Sequence, residues 1–216
     1  MFFNQEGFDV RCEWGGTGIA ALLPDSDVIV IVDVLSFSTC VDVAVGNGAI
    51  VYPYRWQDAS ALAYATSRGA LLASASRTCT TGYFLAPTSL ARIPAGTRLV
   101  LPSPNGATLT LATGTTPTFA GCLRNASAVA HAAQAVGGRI SVIPAGERWA
   151  DGNLRPAIED LIGAGAIIHH LIGTRSPEAA VAEQAFLHAR SNLADYLRQC
   201  GSGRELIGRG FAGDVE

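Results

Sequence analysis

The sequence predicts an α/β fold, a three-layer α/β/α sandwich around a largely parallel or mixed central sheet, and three observations predict it. Apolar runs rich in β-branched residues, such as VIVIV at 28–32 and ISVI at 140–143, suit strands buried on both faces. Between them lie Ala-rich segments with helical spacing, so strand and helix alternate along the chain. Hydrophobic residues make up 49% of the 216, with no Ser/Pro linker or block of like charge to mark a boundary, which predicts one domain over residues 1–216.

Taken in order, DVIVIVDV is the first strand. LSFSTCVDVAVGNGA follows as a helix that Ser38 or Thr39 can cap and Asn47-Gly48 can end, and AIVYPY is the second strand. QDASALAYATSRG reads as a helix with a Gly stop, ALLASAS as a strand, TRLVLP as a strand before the turn SPNG, and ATLTLAT as a short helix. TPTFAG, CLRN and ASAVAHAAQAVGG give a strand, a loop and a helix. RISVIPAG is the last strand. PAIEDLIGAGAIIHHLIG is an apolar helix with Pro156 at its first position, and SPEAAVAEQAFLHARSNLADYLRQCG is one long amphipathic helix opening on Ser-Pro.

The formal net charge is only −3, and all 15 basic residues are Arg, scattered rather than clustered. A phosphodiester backbone is therefore not an expected partner. Without Lys there is no Schiff base and no P-loop lysine, so anions must be held by Arg, by backbone N–H groups or by a metal. The cysteines at 12, 40, 79, 122 and 200 form no C-x-x-C pair and are odd in number, which predicts reduced thiols in a cytoplasmic protein. MFFNQEGFDVRCEW lacks the pattern of a signal peptide, and no apolar run reaches membrane-spanning length, so no membrane association is expected. A homo-oligomer is allowed, though its order is not legible.

In open α/β sheets ligands bind beyond the carboxyl ends of the strands. Four loops there carry polar groups: Asp33 with Ser36 and Ser38, Ser103-Pro104-Asn105-Gly106, Arg124-Asn125, and the segment from Glu147 to Asp160. Asp33 can hold a cation, activate a nucleophile, or cap the next helix as an Asx turn. Arg124 can meet a phosphate or sulfonate, and Asn125 can cap the helix after it. Glu159 and Asp160 fall in the first turn of an apolar helix, where the helix dipole accounts for one carboxylate; two, pointing about 100° apart, call for a cation, and Mg²⁺ with oxygen ligands fits. No G-x-S-x-G elbow is present, Asp33 is followed by Val34 and Leu35 and so opens no D-x-D motif of the aspartyl-phosphate phosphatases, His169-His170 reads as structural, and Gly15-Gly16-Thr17-Gly18 has no strand before it to make a phosphate loop.

VDVLSFSTCVDVAVGNGA, SPNGATLT, GCLRNASAVA, AGERWADGNLRPAIEDLIGAG and GRELIGRGFAGDVE, in this order from about residue 28 to 216, together resemble the motifs of the ComB family, the Mg²⁺-dependent 2-phosphosulfolactate phosphatases. The resemblance implies hydrolysis of a small anionic phosphate ester, 2-phosphosulfolactate, to sulfolactate and phosphate, a step in coenzyme M synthesis. It makes Asp33, Glu159 and Asp160 the Mg²⁺ and phosphate-handling acids, with Glu147 as a further acid. Asn105, Gly106 and Asn125 then shape the pocket beside Ser36 and Ser38, and Arg124, Arg148 and Arg155 are the candidate anion partners. Ser36 stands where the family motif usually has Arg, and the 76–90 loop departs from the family pattern. Arg148 or Arg155 is expected to supply the guanidinium missing at Ser36. A divergent phosphatase for another small phosphorylated acid, and a catalytically silent anion-binding protein, are the alternatives.

Overall fold

The computed structural model describes residues 2–55, 58–77 and 82–216, so Cys79 and the middle of the divergent loop lie outside the described residues. Its strands are β1 (Val10–Cys12), β2 (Val28–Val32), β3 (Ile50–Tyr54), β4 (Leu71–Leu72), β5 (Arg98–Pro102), β6 (Thr118–Gly121), β7 (Ile140–Pro144), β8 (Glu147–Arg148) and β9 (Leu154–Arg155). The helices are α1 (Gly15–Leu22), α2 (Phe37–Gly46), α3 (Ala59–Arg68), α4 (Pro87–Leu90), α5 (Gly106–Ala112), α6 (Ala126–Val136), α7 (Ile158–His170), α8 (Pro177–Ala189), α9 (Leu193–Gln199) and α10 (Gly201–Gly208). The α/β class and the parallel pairing expected from the sequence are both present.

The parallel strands fall into two hydrogen-bonded sheets, of order β1-β7-β2-β6 and β3-β5-β4. In the first, β2 is wholly buried, and its alternation sorts the layers. Val28, Val30 and Val32 pack with α6, α7 and α8 on one face, while Ile29 and Ile31 pack with Ile19 and Leu22 of α1 and Leu109 of α5 on the other. Each such side chain contributes roughly 1.5–3 kcal/mol by leaving water. The second sheet buries Leu99 and Leu101 against Phe37, Cys40 and Ala44 of α2. Helices α2 and α5 thus touch both sheets, and the carboxyl end of β2 faces the seam between them.

Small residues bring α7 close to its neighbours. A methyl group on Gly163 would meet Val34 Cγ2 at 2.6 Å, and one on Gly165 would overlap the carbonyl oxygen of Ala182 in α8. The glycines of LIGAGAII therefore let one apolar helix lie against both the sheet and α8.

Several local expectations need correction. The long terminal helix breaks at Arg190–Asn192, where Asn192 leaves helical geometry at φ −133°; Ser and Asn are residue types that favour helix ends over helix interiors. Its Ser176 start is as expected, the hydroxyl accepting from Ala179 N–H at 3.1 Å. ALLASAS gives only Leu71–Leu72 as a strand. Pro156 precedes α7, whose N-cap is Ala157, yet Glu159 and Asp160 remain in its first turn. Gly15-Gly16-Thr17-Gly18 does follow a strand, since β1 ends at Cys12, three residues earlier, and pairs with β7; a three-residue VRC run is too short to read as a strand. His169 lies in the last turn of α7, with Nδ1 2.9 Å from Glu183, a structural role as expected.

Candidate active site

Register places the loops. Val32 pairs with Pro144, so Asp33 after β2 lies beside Ala145 and Gly146 after β7, and Ala145 N–H donates to Val32 C=O at 2.8 Å. Asp33 is buried, and each of its carboxylate oxygens accepts a backbone N–H, Oδ1 from Phe37 at 3.0 Å and Oδ2 from Gly106 at 2.8 Å. The first bond pins the start of α2 and the second joins the two sheets. Gly106 has no room for a side chain: a methyl group there would overlap the Phe37 ring and stand 2.7 Å from Asp33 Oδ2. Ser38, expected to cap α2, instead braces the strand end, its hydroxyl accepting from Asp33 N–H and donating to Ile31 C=O, both at 3.1 Å. Ser36 takes the N-cap position.

Asp160 repeats the pattern one loop away. Oδ1 accepts from Val34 N–H at 2.8 Å and Oδ2 from Gly146 N–H at 2.9 Å, tying the ends of β2 and β7 to the first turn of α7. Glu159 points elsewhere. It is 2% exposed, and its Oε2 is buried with no hydrogen-bond partner. Its charge bears on Asp33 and Asp160, and it helps burial push the Cys200 thiol up to about 11. Glu147 is half-buried and oriented by Asn105, whose Nδ2 donates to Oε2 at 2.9 Å.

The four acids therefore form one electrostatic unit. Burial pushes Asp33 above its ordinary value and Asp160 well above it, with charge repulsion inside the group adding to both. Glu147 is raised by burial first and then by Asp33. A carboxyl raised in the fold contributes its stability below the unfolded value, about pH 4, and that contribution is lost as pH rises through the folded value. A dication bound here would offset the repulsion, and if the cluster binds Mg²⁺ the gain in Tm on adding it would grow as pH rises above about 4. Thermal unfolding across pH with Mg²⁺ or EDTA measures this, and a gain independent of pH would contradict it. Among the described residues no three His, Cys, Asp or Glu side chains already stand as a ligand set, so an ion here would need water and substrate oxygens to complete its shell.

The arginines fall differently from expectation. Arg124, 63% exposed in its side chain, pairs with Asp42 of α2 at 3.0 Å and has no contact with the four acids. Asn125 takes the N-cap position of α6 as expected, but its side chain does not bond the first helical turn; its amide spans the β6–α6 turn, accepting from Cys122 N–H at 2.8 Å and donating to Ala120 C=O at 3.1 Å. Arg148 is exposed and donates to Gly152 C=O at 2.9 Å within the β8–β9 ribbon. Arg155 donates to Ser202 Oγ at 3.0 Å, lies over the Trp149 ring at 5.8 Å, and acts electrostatically on Glu147. Neither makes a bond to Ser36. The guanidinium that does so belongs to Arg77, at 3.2 Å. Position 77 is 41 residues from Ser36, in the loop that fits no motif, and no sequence signal pointed to it.

Fold and site together define an α/β protein with a buried carboxylate cluster at the carboxyl ends of neighbouring parallel strands. The model of the 2-phosphosulpholactate phosphatase family matches residues 20–216, and the chain belongs to that family. It is also similar to a 2-phosphosulfolactate phosphatase of Methanothermobacter thermautotrophicus, 38% identical over 121 residues, which cover 56% of this chain and 50% of the relative. The match thus spans about half the length of that curated protein. No helix among the described residues is long and apolar enough to cross a membrane.

Proposed function

We propose that this chain hydrolyses a small phosphate monoester with the help of Mg²⁺, and that the ester is 2-phosphosulfolactate. The observation that carries this reading is the unpartnered Glu159 Oε2, buried beside Asp33 and Asp160. A buried carboxylate oxygen without a donor is costly unless a cation meets it. Asp33, Glu159 and Asp160 are the residues that would hold Mg²⁺, which when bound neutralises phosphoryl oxygens and orients water for attack.

The chain's own groups have separable tasks. Asp33 and Asp160 are held on both oxygens by backbone N–H groups, so they keep their places as charge develops at phosphorus. The same bonds weaken Asp33 as an attacking group and favour water over the carboxylate as nucleophile. Glu147, with Oε2 fixed by Asn105 and its acidity lowered by burial, is suited to exchange a proton at Oε1.

A panel of small phosphate monoesters, assayed with Mg²⁺ and with EDTA, tests the proposal. Phosphate release from 2-phosphosulfolactate, abolished by EDTA, is expected. Release only from another ester would favour a divergent phosphatase, and silence throughout would leave the scaffold an anion-binding protein; either overturns the substrate named here.

A further inference from the structure

Arg77 lies between β4 and α4, outside every segment that the family motifs singled out. One arm of its guanidinium, Nη1, donates to Asp214 Oδ2 at 2.8 Å, and the other, Nη2, to Ser36 Oγ at 3.2 Å. The flat group lies 5.6 Å over the Phe211 ring. Its side chain is 14% exposed, and that of Asp214 is 2% exposed. Asp214 is in turn fixed by Thr88 at the start of α4, whose hydroxyl donates to Oδ1 at 2.7 Å and whose N–H does so at 3.4 Å. The closing segment of the chain thus holds an arginine against the β2–α2 loop, three residues from Asp33.

A guanidinium withdrawn from water needs a reason beyond one ion pair, because surface pairs such as Arg198–Glu216 form without that loss of hydration. Here the carboxylate grips one arm and leaves the other directed at a neutral hydroxyl, which a stronger acceptor can replace or share. Arg is also the residue whose planar fork matches an oxyanion. Three residues before Ser36 stands Asp33, which belongs to the acid cluster, and the negative charge of that cluster repels a polyanionic ester.

We propose that Arg77 is the substrate-binding cation of this site, taking an oxyanion of the ester at Ser36, and that Asp214 is its positioning residue. This rests on the phosphomonoester reading given above. It names the chemistry of the missing half of that site: a phosphate, sulfonate or carboxylate oxygen, held at Ser36 by the Nη2 arm of Arg77.

The test uses the full chain and the variants Arg77→Ala, Arg77→Lys and Asp214→Asn. In Arg77→Ala the KM for the hydrolysed ester should rise roughly tenfold or more, and added methylguanidinium should restore part of the loss. Arg77→Lys should recover little, because an ammonium lacks the fork. Asp214→Asn should raise KM by a smaller factor, since the guanidinium remains but is less well held. A fall in Tm with KM unchanged and no rescue would make the Arg77–Asp214 pair purely structural and overturn the proposal. Protection against thermal unfolding by inorganic phosphate and by methanesulfonate, in wild type and Arg77→Ala, decides the matter without turnover. Loss of protection by one anion in the variant supports the assignment and identifies the group held; equal protection of both proteins by both anions overturns it. A wild type that binds these anions through Arg77 yet hydrolyses nothing would refute the phosphatase reading alone.

Discussion

Glu159→Gln is expected to lower kcat by about 10²-fold or more while the metal-free protein unfolds at or above the wild-type temperature. The substitution keeps the shape of a side chain that is 2% exposed, and it removes a negative charge from beside two other buried acids. If Glu159 served only to balance the dipole at the start of α7, the same change would cost about 0.3–1 kcal/mol of stability and leave turnover intact. The two roles thus predict opposite patterns. Turnover against Mg²⁺ concentration, set beside thermal unfolding with and without the ion, separates them. Full activity with an unchanged Mg²⁺ response would mean that Glu159 is not part of the site.

Gly106→Ala should damage both stability and chemistry. The added methyl group would enter the Phe37 ring and approach Asp33 Oδ2 to 2.7 Å, so either the α5 N-terminus or the Asp33 carboxylate must move. Overpacking of this kind costs about 1–3 kcal/mol, and displacing a catalytic group by about 1 Å costs roughly 10²-fold in rate. Gly46→Ala is the matched control, since a methyl group at that position meets nothing within 4 Å. Urea unfolding and turnover of both variants are the measurements. Wild-type behaviour in Gly106→Ala would show that the bond from Gly106 N–H to Asp33 is dispensable.

The parts of this architecture that were legible in sequence are those in which one local signal suffices. VIVIV, rich in β-branched residues, suits a strand buried on both faces, and a polar residue directly after such a strand lies at the sheet's rim, which located Asp33. The adjacent acids opening an apolar helix located Glu159 and Asp160 in the same way. What stayed hidden depends on partners distant in the chain. Gln5 and Asn4 support β1 through the main chain and Arg11, and nothing in VRC itself announces a strand. Arg77 is made a site residue by Asp214, 137 positions away, and by the turn of α2 that presents Ser36. Arg124 and Arg148 looked equally suited by type and loop position; their exposure and their bonds to Asp42 and Gly152 set them apart.

The acid cluster also explains why the loop after β7 is so rich in charge. Gly146 adopts φ +66°, and its N–H meets Asp160, while a side chain at that position would approach the Arg155 carbonyl oxygen to 2.9 Å. The ribbon that follows carries Glu147 back towards Asn105 and seats Arg155 on Ser202. Of its charges, Glu147 joins the cluster and Arg155 ties the ribbon to α10, while Arg148 and Asp151 bond within the ribbon's own turn.

The most direct test of the account is a calorimetric titration of Mg²⁺ into the metal-free chain in the presence of inorganic phosphate. Saturable binding by the wild type, lost or strongly weakened in both Asp33→Asn and Glu159→Gln, is the predicted result. Equal binding by all three proteins, or none by the wild type, would contradict the assignment of these carboxylates to a metal and phosphate site.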